Sequence, residues 1–379
     1  MTEPASVLLA GGGSAGHVSP LLSVADALRR RWPDVRITAL GTAEGLEVRL
    51  VPEQGYPLRT IPRVPMPRRP DLTLLRFPGA LSAEIGAAAA VLREVEADVA
   101  AGFGGYVSTA AYLAARRLRL PFVVHEANTR PGLANRLGAR FTPYVGTTFD
   151  TTRLPHAVRT GLPLRRDIST LDRSAGRGEA RARFGLDPER VTLLVTGGSL
   201  GALRLNQTFE ACVADLRGAG IQVLHLAGLG KAFTPPPPEA TEPPYVVLEY
   251  CDDMAAAYSA ADAVVCRAGA NTVCELTAVG LPAVYVPLPI GNGEQRLNAE
   301  PVVAVGGGLL VPDALMTPEW VRAQVVPWLA DDDGLRRAGA AAAGWGVRDG
   351  DERVADLVER AASGPKALAR KGSGGGRQQ

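Results

Sequence analysis

An apolar run that ends in clustered glycines and opens into a helical pattern occurs twice in this chain, once at the head of each half. Ser6–Ala10 leads into Gly11-Gly12-Gly13-Ser14-Ala15-Gly16-His17, and a helix is expected from there to about Arg31, with Leu21, Leu22, Ala25 and Leu28 on one face. Val191–Thr196 leads in the same way into Gly197-Gly198-Ser199-Leu200-Gly201 and a helix over Ala202–Leu216. A buried strand, a turn without side chains and a helix start let a ligand approach the backbone, where unpaired N–H groups and the positive dipole end await it. Arg36–Leu40, Asp98–Ala101 and Pro121–Val124 read as further strands, with a turn at Gly102–Gly105 and a helix over Val107–Leu118. The last of these strands delivers His125-Glu126-Ala127-Asn128 to its end. This alternation predicts an α/β protein of two doubly wound, Rossmann-like domains with a cleft between them.

The densest such unit is Ala261–Ala299. Ala263–Cys266 is a buried parallel strand, Arg267-Ala268-Gly269-Ala270 a small-residue turn, and a helix begins near Asn271 or Thr272 with Glu275 one turn in. Pro282 precedes the strand Ala283–Val286; the loop Pro287–Gly293 then leads to Glu294-Gln295 at another helix start. Two loops at the carboxyl ends of adjacent strands, each feeding a helix, are where open α/β sheets bind ligands.

Length and composition bound the alternatives. A chain of 379 residues has material for roughly two cores, and a net charge of +2 is too balanced to imply nucleic acid by itself. Four cysteines (Cys212, Cys251, Cys266, Cys274) form no C-x-x-C, and there are only four histidines, which fits reduced thiols and no zinc site. The amino terminus carries no basic leader pattern, and no run of about 18 uncharged apolar residues is present. The first glycine cluster fits G-x-G-x-x-G in form, but the strand Arg36–Leu40 ends in Gly41-Thr42 rather than an acid, which weakens a nicotinamide reading.

Three stretches stand apart. Thr60–Pro78 is proline-rich and sets Arg63, Arg68, Arg69 and Arg76 among Leu72, Leu74, Leu75 and Phe77. Joined by Arg116-Arg117-Leu118-Arg119-Leu120, it reads either as solvated loop and helix surface or as an apolar patch ringed with cations for an anionic membrane. Asp167–Glu179 reads as a linker or surface insertion, and Gly364–Gln379 as a disordered tail. The expected organisation is one Rossmann-like domain over 1–162, carrying the cationic patch, a second over 163–346, a helix over 347–363 packing back on the first domain, and the tail over 364–379.

GGGSAGH, GFGGY at Gly102–Tyr106, HEAN at His125–Asn128, GGSLGA at Gly197–Ala202, CRAGANTVCEL at Cys266–Leu276 and EQRLNA at Glu294–Ala299 together resemble the MurG family of peptidoglycan N-acetylglucosaminyltransferases. The likeness runs to about residue 360 and implies a GT-B fold. It implies inverting transfer of N-acetylglucosamine (GlcNAc) from UDP-GlcNAc to the C4 hydroxyl of the muramoyl sugar of lipid I, giving lipid II. By the same resemblance Ser199 contacts the diphosphate, Arg165 steadies the departing UDP (Arg166 competes by adjacency), Glu275 holds the ribose, and the main chain at Cys251 holds the uracil. Asn128 and Gln295 would meet the GlcNAc hydroxyls; family members often carry two successive amides at the latter place, where this chain has Glu294-Gln295. Ser14, Ala15, Gly16, Ala270, Asn271, Thr272, Val273 and Cys274 complete the implied donor contacts. His17 and Glu126 are rival general bases, and Arg68, Arg69, Leu75 and Phe77 form the membrane and acceptor patch. No cofactor or metal is expected. Implied partners are the donor, lipid I and an anionic surface at the cytoplasmic face of the membrane, with proteins of cell-wall synthesis left open and nucleic acid not expected. Competing readings are another GT-B enzyme using UDP-sugars, or a Rossmann NAD enzyme or nucleotide-binding module.

Overall fold

The structure, a computed structural model, describes residues 3–64, 72–198, 201–290 and 292–364, with the side chains of residues 72–76 outside that description. The chain divides into two units, one of Met1–Arg165 with Asp349–Gln379 and one of Arg166–Arg348.

The first unit runs β1 (Ser6–Ala10), α1 (Ala15–Arg31), β2 (Arg36–Gly41), α2 (Glu47–Glu53), β3 (Leu58–Thr60), α3 (Leu72–Glu94), β4 (Val99–Gly102), α4 (Tyr106–Arg117), β5 (Phe122–Glu126), α5 (Leu133–Gly138), β6 (Val145–Thr147) and β7 (Ala157–Arg159). Its strands form a parallel sheet in the order β3-β2-β1-β4-β5-β6-β7. The second unit runs α6 (Arg166–Ser169), α7 (Arg173–Arg183), β8 (Thr192–Thr196), α8 (Leu203–Ala211), α9 (Val213–Gly218), β9 (Gln222–Leu226), β10 (Tyr245–Leu248), α10 (Met254–Ala260), β11 (Ala263–Cys266), α11 (Ala270–Ala278), β12 (Ala283–Tyr285), α12 (Glu294–Ala304) and β13 (Gly308–Leu310). Its parallel sheet has the order β10-β9-β8-β11-β12-β13. Beyond it a short 3-10 turn (Asp313–Leu315), α13 (Pro318–Trp320), a π-helical turn (Val321–Val325), α14 (Val326–Leu329) and α15 (Asp332–Trp345) close the unit. The strand order of each sheet therefore reverses once, between β1 and β4 and between β8 and β11, and such a switch point opens a crevice at the strand carboxyl ends.

The last helix, α16 (Gly350–Ala362), belongs to the first unit. Val354, Ala355, Leu357 and Val358 join the core cluster of Val7, Leu21, Val24 and Val99. Charge reinforces the packing, because the basic last turn of α1 meets the acidic start of α16. Arg30 pairs with Asp351 at 2.7 Å, and Arg31 with Glu352 at 2.9 Å and Asp356 at 2.6 Å.

Several elements differ from expectation, each for a physical reason. Asp167–Glu179 is no linker: it is largely α7, capped by Asp172 on the N–H groups of Ser174 and Ala175. Its arginines are engaged rather than solvated. Arg173 donates to the carbonyls of Tyr258 and Gly280, and fully buried Arg181 donates to the Ala260 carbonyl at 3.0 Å and to Asp262 at 2.7 Å. The proline-rich segment gives way to helix at Leu72, with Pro78 inside α3. The alanine-rich stretch that follows has the strongest helix propensity and buries Ala88 and Ala89 beside α4. Helix 202–216 is two helices, broken at Cys212. Strand β5 continues through His125 and Glu126, so both are core positions. Leu120 is likewise core and leaves the cationic patch, while Arg116, Arg117 and Arg119 are exposed.

Candidate active site

In the first unit the crevice is built from the turns after β1 and β4. Phe103 N–H donates to the Ala10 carbonyl, and buried Ser108 donates to the carbonyls of Ala10 and Gly104, so one turn is tied to the other. His17 sits one turn into α1, half-buried. Its Nδ1 lies 3.0 Å from the Gly12 carbonyl and 3.3 Å from the Ser14 hydroxyl. A carbonyl can only accept, so Nδ1 carries the proton and Nε2 keeps the lone pair. Gly104, at φ +102°, keeps that edge open: a Cβ there would stand 2.9 Å from both Cδ2 and Nε2. His17, Ser14, Thr42, Glu44, Arg63 and Tyr106 line a cavity of about 230 Å³.

Glu126, the rival base, is 3% exposed. Its Oε1 accepts from Asn128 N–H at 2.9 Å, and its Oε2 accepts from Gly132 N–H at 3.0 Å and from the Asn135 amide at 2.9 Å. It anchors the loop that carries Asn128, with both of its oxygens taken by donors of the protein. Of the two candidates, the geometry favours His17. His125 is buried too: its Nε2–H donates to the Gly161 carbonyl, and burial pushes its pKa down to about 4. Half-buried Asn128 is the residue of this motif that keeps access.

One residue of this site went unread in the sequence. Glu47, the first residue of α2, is fully buried directly beneath the glycine turn. It accepts from Gly13 N–H at 2.8 Å, from Thr42 N–H at 2.9 Å and from the Thr42 hydroxyl at 3.0 Å. Burial pushes its carboxyl up, but these donors outweigh that and hold it below the ordinary carboxylate range. Its only signal is position: six residues past Gly41, it supplies the acid that the end of β2 lacks.

In the second unit the crevice lies between the turns after β8 and β11. Gly198 N–H takes the Thr196 hydroxyl at 3.2 Å, and Gly201, at φ +65°, has no room for a Cβ against the Ala227 carbonyl. Ser199 lies outside the described residues. Helix α11 starts at Ala270, a residue earlier than expected, with Asn271 and Thr272 half-buried and Val273 and Cys274 buried, so the last two offer backbone only. The buried Oδ1 of Asn271 has no hydrogen-bond partner among the described residues, an acceptor left facing the turn. Glu275 is half-buried, and its Oε2 accepts from the Tyr258 hydroxyl at 2.7 Å, which fixes the carboxylate. Gln295 Oε1 accepts from the N–H groups of Ala268 and Leu288, so its amide is left to donate. Half-buried Cys251 lies just before α10, its thiol donating to the Asp253 carbonyl and raised by burial. Arg165 is half-buried at the end of its unit, while Arg166 is exposed.

A second network also escaped the sequence reading. Asp313 receives Arg204 at 2.8 Å and pairs with Arg267 at 2.6 Å, and Arg267 donates to the Val286 and Pro287 carbonyls. One carboxylate thus braces α8, the turn after β11 and the loop after β12.

The glycosyltransferase family 28 N-terminal domain matches residues 7–147, and the family 28 C-terminal domain matches residues 192–354. A Nocardioides protein named UDP-N-acetylglucosamine–N-acetylmuramyl-(pentapeptide) pyrophosphoryl-undecaprenol N-acetylglucosamine transferase is 59% identical over 353 residues, 93% of this chain and 97% of that one. The chain belongs to the MurG family. A Streptomyces coelicolor protein of the same name is 55% identical over 355 residues, 94% of this chain and 98% of its own length. The crystal structure of Acinetobacter baumannii MurG matches with a TM-score of 0.76 at 29% identity, over 94% of this chain and all of that one. The two parallel-sheet units are thus the two halves of a GT-B glycosyltransferase, as the motifs implied.

Proposed function

We propose that this MurG-family chain transfers GlcNAc from UDP-GlcNAc to the C4 hydroxyl of the muramoyl sugar of lipid I, giving lipid II with inversion at the anomeric carbon. The observation that carries this is identity above half over nearly the whole length of relatives bearing that name. The muramoyl O4 attacks C1 of GlcNAc, its proton passes to His17 Nε2, and the C1–O bond to the diphosphate breaks with its electron pair leaving on UDP. Glu275 holds the ribose hydroxyls with a carboxylate already oriented by Tyr258, and the Gln295 amide donates to the sugar. Arg165 and the helix start after Gly201 offset the charge that collects on UDP, so no metal is assigned to that task. Among the described residues no group of three or more His, Cys, Asp or Glu side chains is placed to hold an ion.

The purified protein should convert UDP-GlcNAc and a short-chain lipid I analogue to the disaccharide product and UDP. Absence of product, or product only with another sugar donor, would overturn the reading. Turnover abolished by exhaustive chelation and restored by magnesium would overturn the metal-free account of UDP departure.

The acceptor's lipid chain places the enzyme at the cytoplasmic face of the membrane as a peripheral protein. Among the described residues no helix is long and apolar enough to cross a bilayer. Arg68 and Arg69 lie outside the described residues, as does the side chain of Leu75; Phe77 is half-buried, and exposed Arg116 stacks over Phe141 at 3.8 Å. Arg68→Glu with Arg69→Glu should reduce sedimentation with anionic vesicles and slow turnover of long-chain acceptor but not of a soluble one. Equal loss on both acceptors would remove the membrane role.

A further inference from the structure

We propose that Glu47 is a positioning residue for His17, acting through the single peptide group that joins Gly12 to Gly13. The Gly13 N–H donates to Glu47 Oε2 at 2.8 Å, and the Gly12 carbonyl accepts from His17 Nδ1 at 3.0 Å. These N–H and C=O groups belong to the same amide. The chain of contacts is therefore carboxylate, peptide, imidazole, with the peptide standing where a carboxylate directly orients a histidine in other general-base sites. A negative charge on the N–H side polarises the amide and makes the Gly12 oxygen a better acceptor, a cooperative gain of about 10–30% per bond. The oxygen then fixes the Nδ1–H tautomer and steadies the imidazolium that forms when Nε2 takes the acceptor's proton.

The arrangement is enclosed. A Cβ at Gly12, Gly41 or Gly45 would overlap the Glu47 side chain, so three glycines from two loops leave only enough room for this carboxylate. Two further bonds from Thr42 hold it to the end of β2. Its charge also opposes the positive end of α1, which by itself would disfavour a protonated His17. The other charged or titratable groups facing His17 across the cavity are Glu44, Arg63 and Tyr106, and Arg63 lies 3.6 Å from Glu44 and 5.7 Å from the Tyr106 ring centre. None of these touches the Gly12–Gly13 amide in the way Glu47 does.

The inference rests on His17 being the base, and the test separates the two. Steady-state kinetics on the soluble acceptor compare the intact enzyme with Glu47→Gln, His17→Ala and the double variant. Glu47→Gln should lower kcat about 10- to 100-fold, by analogy with the outer-shell partners that orient metal-bound histidines, with the donor KM unchanged. It should move the acidic limb of the kcat profile to lower pH, and have almost no further effect on His17→Ala. An equal loss in the His17→Ala background would overturn the relay while leaving His17 in place. An unchanged kcat in His17→Ala would overturn the base assignment and the relay with it. Should Glu47→Gln fail to fold, ring nitrogen NMR of the unmodified protein decides: a protonated Nδ1 and bare Nε2 support the relay, and the opposite tautomer overturns it.

Discussion

The two glycine turns are built from the same parts and end in opposite electrostatics. Both follow a buried central strand, both precede a helix, and both lie at the reversal of a parallel sheet. In the first unit the turn is closed from below by a carboxylate, Glu47 on Gly13 N–H. In the second the Gly198 N–H donates to the neutral hydroxyl of Thr196, with no carboxylate on it among the described residues. A turn whose amide already faces a negative charge is a poor place for a second anion and a good place for a base. A turn closed by a hydroxyl keeps its positive potential for a diphosphate. The carboxylates follow the same division: Glu47 faces the protein, and half-buried Glu275 keeps access to a ligand. The glycine count of a loop thus says less about its ligand than the group packed beneath it.

The sharpest way to break this comparison is to add one methyl to the first turn and one to the turn after β11, which borders the same crevice of the second unit as Gly198. Gly12→Ala should drive Glu47 from its place, abolish turnover, and lower the melting temperature of the first unit by about 4–10 °C, from overpacking of about 1–3 kcal/mol and the lost hydrogen bonds. UDP affinity should fall far less than turnover, because, of the groups assigned to UDP itself, Ser199, Cys251 and Glu275 lie in the other unit and only Arg165 in this one. Gly269, the cap residue of α11, has ordinary φ and open space around its Cα. Gly269→Ala should leave stability within about 1 °C, yet weaken UDP about tenfold, because the space it fills is the ligand's. Equal stability losses in both variants would mean that the second unit's crevice is as closed at Gly269 as the first unit's is at Gly12.

Next in size is the outward-facing carboxylate. Glu275→Ala should weaken UDP binding by calorimetry about 10- to 100-fold, the worth of hydrogen bonds to a charged acceptor at roughly 1.5–3 kcal/mol. Tyr258→Phe removes only the hydroxyl that orients it, and should weaken UDP no more than about fivefold. Unchanged affinity in Glu275→Ala would remove the ribose assignment.

Most of the architecture was legible because it is written in periodicity. Apolar runs of four or five residues ending in glycine or small-residue turns are strands of a parallel sheet, and β1 and β11 fall on the residues expected of them. The gaps have common causes. Short strands such as β3 and β13, three residues each, leave too little pattern to read. Charge suggests a solvated segment over α7, where arginines instead cap carbonyls inside the fold. At the site, the turns and His17 were visible as motifs, but Glu47 and Asp313 were not. Each acts across 30 or more residues of sequence on a backbone amide or an arginine of another element, and no local pattern records that.

The smallest expected effect concerns acid, and it again sets one unit against the other. Each sheet holds a buried neutral histidine, His125 in β5 and His225 in β9, and burial pushes both down to about 4. Below the ordinary histidine value the unfolded chain binds a proton that the folded chain refuses, so each contributes stability that is lost as pH falls from about 6.5 towards 4. A displacement of that size is worth at most about 3 kcal/mol. The first unit carries a compensating group. Glu84 on α3 is buried, its Oε1 has no hydrogen-bond partner among the described residues, and burial lifts it to about 7. The folded state holds that proton from about 7 down to the ordinary carboxylate value while the unfolded chain does not, so acidification through this window stabilises. The two contributions oppose each other between pH 5 and 7 in the first unit, and His225 stands without such a counterweight in the second. Amide exchange followed at pH 7 and pH 5 should therefore show β8 and β9 losing protection on acidification while β1, β4 and β5 hold theirs. Glu84→Gln should raise protection of the first unit at pH 7 and make it acid-sensitive in turn. Equal loss in both units of the unmodified protein would show that Glu84 does not oppose His125.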